Sequence, residues 1–261
     1  MFGTDLVQRL VQSVALSHLI MHRDRAGLLL LAAPESGKTT IACAATASHV
    51  HAVTLITGKS VLSTIGQKDT EFLLFNDMAS IRALSRQASA MLIVILNQII
   101  NGEKGVASFA GTTNFIIDRP IGIIGCLPFK AFTDKRAQWR DLGFVSRLIP
   151  FAYSYNAELI ATIKDSLDVL VPPRPRPRPM PRKAVKPVDI KMTPGQSRHV
   201  RALADARAIV LGQIGIRMLK NYHVVIRAHA LLHGRRTVTD EDLDFLRAID
   251  AYVSITECRP L

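Results

Sequence analysis

The sequence predicts an α/β fold, a parallel sheet flanked by helices, followed by a small all-helical domain. Three observations carry this expectation. Between Gly27 and Val171, continuous apolar runs alternate with segments of helical spacing, the pattern of strands buried on both faces and joined by helices. An arginine–proline segment then changes the composition sharply, because alternating proline excludes interior helix and strand and favours an extended polyproline II chain. From about Thr193 to Ile255 the apolar spacing is helical throughout. At 261 residues, 48% of them hydrophobic and 21% charged, the chain is long enough for one large domain and a satellite. The expected division is an N-terminal amphipathic helix (1–26), the α/β core (27–171), an Arg/Pro-rich linker or loop (172–192) and the helical domain (193–261).

In chain order, "TDLVQRLVQSVALSHLIMH" places Leu6, Leu10, Val11, Val14, Leu16, Leu19 and Ile20 at helical spacing, with Thr4 as the expected N-cap. "AGLLLLAA" is a buried strand, and "TTIACAATASH" after the next turn is small and helix-permissive. "HAVTLITG" and "EFLLFND" follow as second and third strands. "IRALSRQASAMLIVILNQIIN" is a long helix, "RPIGIIGCL" a fourth strand and "NAELIATIKDSLDVL" a closing helix. Beyond the proline segment, "TVTDEDLDFLRAI" starts a helix, with Thr239 as N-cap and acids in the first turn.

The totals narrow the function classes. A net charge of +12 asks for an anionic partner. Half of the excess lies in "PPRPRPRPMPRKAVKP", which holds Arg174, Arg176, Arg178, Arg182, Lys183 and Lys186 and no acid. The longest apolar run, "AMLIVILNQII", is broken by Asn97 and Gln98 and falls well short of the roughly 20 residues that span a bilayer. "MFGTDLVQRL" does not have the pattern of a signal peptide. Cys43, Cys126 and Cys258 match no metal spacing, so a reduced cytoplasmic or nucleoid-associated protein is expected. His229 and His233 stand one helical turn apart, but without a third ligand they read as packing residues.

The chemistry concentrates at "AAPESGKTT". A strand feeding a glycine turn and then a helix aims backbone N–H groups at one point, where a phosphate fits. The segment matches G-x-x-x-x-G-K-[ST] with Ala32 at the first glycine position. Pro34, Glu35, Ser36, Gly37, Lys38, Thr39 and Thr40 are then the candidate nucleotide-binding residues. Gly37 permits close backbone approach, Lys38 reaches the outer phosphates, and the Thr39 hydroxyl faces Mg²⁺. Such a loop needs a second strand ending in an acid, and "FLLFNDM" supplies Asn76 and Asp77. The register stays open. Either Asn76 takes the metal position and Asp77 polarises water, or Asp77 holds the metal and no acid follows it.

With Pro34 three residues before Gly37, the loop resembles that of the AAA+ ATPases. "LNQIINGEKGVASFAG" resembles the insertion, in the helix after the acidic strand, of the helix-2-insert group. That group contains minichromosome maintenance helicases, magnesium chelatases and enhancer-binding activators. "WRDLGFVSRLIPFAYSY" resembles their Leu-Ser-Arg-Phe segment, which implies that Arg147 is an arginine finger. "IRMLKNYHVVIRAHALLHGRRTVTDEDL" resembles the minichromosome maintenance lid, where an arginine precedes Ala-His-Ala by eleven residues. On that spacing Arg217 is implied to be a second sensor. The resemblance runs from about Leu28 to Ile255, and implies ATP and Mg²⁺ as cofactors and self-association into a ring, of six subunits in the usual case. It departs at the first sensor, where Cys126 or Leu127 replaces a polar residue, and at Asn76. Both departures point to slow or lost turnover. No counterpart of the family's amino-terminal DNA-binding domain is visible, and a protein that supplies one is among the partners to look for.

Two uses of the energy follow. In the first the ring acts on DNA as a helicase-like motor, a loader or a replication-associated ATPase. Lys104, with Phe109 as a stacking partner, and Arg174, Arg176 and Arg178 are then the DNA contacts. In the second, the ring remodels a protein as chelatase-type motors do, Phe109 grips the substrate, and the proline segment is a docking peptide. A nucleotide-dependent scaffold with little turnover is a third.

Overall fold

The computed structural model describes residues 4–21, 24–43, 47–53, 56–66, 69–103, 105–107, 115–117, 119–168 and 187–261. Within them the chain is α/β. A six-stranded, wholly parallel sheet has the order β2-β3-β6-β1-β7-β8, with helices packed against it. Among the described residues no helix is long and apolar enough to cross a membrane.

Helix α1 (Asp5–Leu16) buries Leu10, Val11, Val14 and Leu16 as its spacing predicts, and Val7 besides, while the expected Leu6 is half-buried. The expected Thr4 cap does not form. Thr4 is buried at φ −97°, ψ 2° rather than extended, and its hydroxyl has no partner. A 3₁₀ turn (Ser17–Leu19) leads to β1 (Leu28–Ala32), buried at every residue. The short α2 (Lys38–Cys43) follows the glycine turn, and β2 (Val50–Ala52) forms the sheet edge.

The second strand ends earlier than "HAVTLITG" suggests. Thr57 is extended, its side chain accepts from Ser60 N (3.1 Å), and the Ser60 hydroxyl accepts from Thr57 N (3.0 Å). This reciprocal cap starts α3 (Gly58–Ile65), so local side-chain bonding overrides the apolar run. After β3 (Phe72–Phe75), the expected single helix is split into a 3₁₀ helix (Met78–Ala83) and α4 (Arg86–Asn101). Leu84 and Ser85 are extended, and Ser85 caps α4 by accepting from Ala88 N (3.2 Å). Gly102, at φ 62°, ends it in the left-handed conformation that glycine adopts without strain.

The insertion expected within that helix follows it instead, as an antiparallel hairpin of β4 (Gly105–Ala107) and β5 (Phe115–Ile117). Strand β6 (Gly122–Pro128), α5 (Phe129–Asp141) and β7 (Ile149–Ser154) complete the core. Strand β7 hides in the sequence behind Pro150. Ile149 N bonds to Gly27 O of the neighbouring β1, so the next nitrogen, that of Pro150, faces away from that ladder. On that outer side Phe151 bridges Val253, and Pro150 takes part only through its carbonyl, which accepts from Ser254 N. Strand β8 (Arg259–Pro260) pairs with Tyr153 and Ser154, so the missing N–H breaks no strand pairing.

Helix α6 (Ala157–Asp168) precedes the proline segment. Val188 and Lys191, expected in the linker, are paired with other segments. Met21 N donates to Val188 O, Val188 N donates to Leu19 O, and Lys191 pairs with the Arg236–Val238 segment. Helices α7 (Pro194–Leu211), α8 (Ile216–Leu232) and α9 (Asp240–Asp250) follow. At α9 the buried Asp242 carboxylate accepts from Thr239 N (2.8 Å), His229 Nδ1 (2.7 Å) and an Arg235 guanidinium N–H (2.6 Å). His229 is thus a packing residue, stacked on Phe245, and no metal cluster occurs among the described residues. Helix α8 packs on α1, α7 and α9, and these helices share one apolar cluster with the sheet.

Candidate functional site

Chain direction fixes where a site can lie. From β1 the chain runs to edge strand β2, returns through β3 and β6 to one flank of β1, then crosses to β7 on the other. The carboxyl end of β1 is therefore a switch point, where helices depart to opposite sides and leave a crevice. The "AAPESGKTT" loop leaves β1 at this point.

The loop backbone is unusual at two residues. Gly37 has φ 70° and Glu35 has φ 61°, a left-handed value that carries strain for a residue with a Cβ. Lys38 is 8% exposed, and its ammonium donates to Ala32 O (3.1 Å), Ala33 O (2.5 Å) and Ser36 Oγ (3.1 Å). Burial pulls its pKa below the usual lysine value, against the pull of the Asp77 carboxylate. Ser36 O is held from behind by the hydroxyls of Tyr155 (2.6 Å) and Tyr153 (3.2 Å) at the end of β7. Neither tyrosine is legible as a loop contact in the sequence, since only the β1–β7 pairing brings them under Ser36.

The Thr39 hydroxyl donates to Asn76 O (3.2 Å), joining the loop to the end of β3 across the intervening β6. Asn76 Oδ1 is buried without a partner, a free acceptor beside Thr39. Asp77 is exposed, and its Oδ1 accepts from Ala79 N (2.9 Å), capping the 3₁₀ helix. At the end of β6, Cys126 is buried and its thiol pKa is pushed up to about 12 by burial, so it stays neutral. Pro34, Glu35, Thr39 and Thr40 are exposed around the loop, Gly37 is half-buried, and Ser36 is buried.

Two candidate residues lie elsewhere. Arg147 stands just before β7, at the opposite end of the sheet from the loop. Five residues of β1 at about 3.3 Å each put something on the order of 15 Å between them. Its guanidinium donates to Gly143 O (2.5 Å) and Asn101 Oδ1 (3.1 Å). Arg217 Nη1 donates to Ser146 Oγ (2.9 Å), so the two arginines adjoin. Burial, and then Arg217, lower the Arg147 pKa. Neither makes an ion pair with a carboxylate among the described residues. Lys104, Phe109, Arg174, Arg176 and Arg178 lie outside the described residues.

The residues near the loop suit a metal–nucleotide. They offer a lysine that can exchange carbonyl partners for phosphate oxygens, a threonine hydroxyl, an unpartnered amide oxygen and an exposed carboxylate. No protein-family model matches the sequence, and no curated protein matches it.

Proposed function

We infer that this chain binds and hydrolyses ATP with Mg²⁺ as a ring-forming motor of the AAA+ type, and that the ring acts on DNA. The observation that carries the reading is the loop itself. It stands at the switch point, with Lys38 inside it and Thr39 bonded to the end of the acidic strand.

Pro34 through Thr40 would hold the phosphates, and Thr39 and Asn76 the metal, which leaves Asp77 for the attacking water. Bound Mg·ATP supplies the transferable phosphoryl group and neutralises part of its charge. Lys38 trades its bonds to Ala32 O and Ala33 O for phosphate oxygens. The Asp77 carboxylate accepts a proton from the attacking water once it leaves Ala79 N. Arg147 and Arg217, at the far end of their own sheet, would act on the nucleotide of an adjoining subunit. Arginine suits that role because its planar fork binds two oxygens and keeps its charge. The net charge of +12 favours a polyanionic substrate for the ring.

A scaffold with little turnover is favoured by one feature, the apolar Leu127 and neutral Cys126 where a water-positioning residue would stand. Steady-state ATP hydrolysis with and without single- and double-stranded DNA separates the readings. The motor reading expects DNA-stimulated turnover, lost in Lys38→Ala and reduced by about 10³-fold or more in Arg147→Ala. Turnover indifferent to DNA would indicate a protein substrate, and ATP binding without turnover a scaffold.

A further inference from the structure

Beyond α9 the chain returns to the sheet beside the phosphate loop. Along the outer edge of β7, Ala152 N donates to Tyr252 O (2.9 Å), Ser254 N donates to Pro150 O (3.0 Å), and the Tyr252 ring stacks on Phe151. The Ser254 hydroxyl accepts from Thr256 N and Glu257 N (3.2 Å each), which turns the chain back on itself. Strand β8 then pairs with Tyr153 and Ser154, and Leu261 N donates to Ser154 O (3.0 Å). Two bonds close the two arms on each other. The Tyr252 hydroxyl donates to Pro260 O (3.0 Å), and Arg259 Nη1 donates to Ala251 O (2.9 Å).

This segment, 252–261, meets the site at two points. Its partners on β7 belong to the strand end that sets Tyr153 and Tyr155 against Ser36 O, so β8 holds the residues that hold the loop. The Cys258 thiol lies against Leu31 O (4.0 Å), one residue before β1 ends. Burial pushes the Cys258 pKa up, and the nearby Lys38 ammonium pulls it down. The same segment is tied to helices. Arg136 of α5 donates to Ile255 O (2.8 Å), and Arg207 of α7 donates to Val253 O (3.0 Å) while pairing with Asp250 at the end of α9 (2.7 Å). Arg217, expected from the sequence to meet a nucleotide, stands at the opposite end of the sheet. Through 252–261, and not through Arg217, α7 and α9 reach the loop of their own chain.

We propose that 252–261 is a clasp that couples the phosphate loop to helices α7 and α9. Docked, it holds the end of β7 and the root of the loop in the arrangement that receives a phosphate. A ligand in the loop holds the clasp docked in return, because coupling between two sites is reciprocal. That this ligand is a nucleotide rests on the ATPase reading; the link between clasp and loop does not.

The test is alkylation of the full chain with N-ethylmaleimide, resolved cysteine by cysteine with mass spectrometry. Cys43 is exposed and gives the reference rate, Cys126 is buried, and Cys258 is half-buried and reacts as the clasp lifts. With Mg²⁺ and a slowly hydrolysed ATP analogue, labelling of Cys258 relative to Cys43 is expected to slow by about tenfold. Arg136→Ala and Tyr252→Phe each remove one bond that holds the clasp. Each is expected to speed labelling of Cys258 and to weaken binding of a fluorescent ATP analogue by about fivefold. Arg136→Lys, which keeps a donor for Ile255 O, should restore both, and thermal melts confirm that every variant folds. If wild type binds the analogue while its Cys258 rate stays unchanged, the proposal falls. It falls equally if the loosened variants keep wild-type affinity. If wild type binds no nucleotide, the ATPase reading fails and the link is read without one. Lys38→Ala and Tyr155→Phe, which free the loop, should then speed Cys258 labelling severalfold, and rates equal to wild type overturn the clasp.

Discussion

At the scale of single residues, the loop depends on groups far from it in sequence. Lys38 is held by two carbonyls and a hydroxyl, and the Ser36 carbonyl is in turn held by Tyr153 and Tyr155. These hydroxyls fix the peptide just before Gly37, the residue that lets the backbone turn toward a ligand. Tyr155→Phe removes the shorter bond from a half-buried site. We expect this to weaken nucleotide binding by about fivefold, the equivalent of one net hydrogen bond of about 1 kcal/mol. Titration with a fluorescent ATP analogue measures it, and unchanged affinity would separate the tyrosine from the loop's function.

At the scale of elements, close packing between strands decides which substitutions the sheet tolerates. Gly122 opens β6 directly opposite Phe72 of β3, and a methyl group there would run into the Phe72 ring. The ring is fully buried and the sheet lies on both sides, so neither can yield cheaply. Gly122→Ala should therefore destabilise the protein by about 1–3 kcal/mol, read from the denaturant midpoint, without change in backbone conformation as the cause. The split of the expected long helix belongs to this scale as well. Once Leu84 and Ser85 are extended, the Ser85 hydroxyl caps α4 and Asp77 caps the turn before it.

At the scale of the whole molecule, two histidines tie α1 and its 3₁₀ extension to the sheet edge. The rings of His18 and His49 lie 4.0 Å apart, and both approach Ala15 O. Burial lowers both pKa values, that of His18 to about 4 with His49 adding to the effect. The unfolded chain takes up protons near the ordinary value of about 6.5 and the folded chain only near 4. Native stability is therefore lost as pH falls through that window. Melting temperature should drop by several degrees between pH 7.5 and pH 5, and the drop should shrink in His18→Gln. Equal slopes in both proteins would show that other groups control acid stability.

The sequence by itself determined the alternation of strands and helices, the loop at the end of β1 and the capped start of α9. Each is written in local chemistry, in apolar period, a glycine turn or a side chain bonding to its own backbone. It ran the second strand into the cap of α3 without showing that helix, hid β7 behind Pro150 and showed nothing of α5, because segments of mixed composition are settled by their neighbours. Only the tertiary structure decided that Tyr153 and Tyr155 support the loop, that Thr39 reaches Asn76, and that Arg147 and Arg217 stand together at the other end of the sheet. The physical reason is sheet order. Strand β1 lies between β6 and β7, strands that follow it by some ninety residues or more, so every long-range feature of the site depends on a pairing that no local pattern encodes.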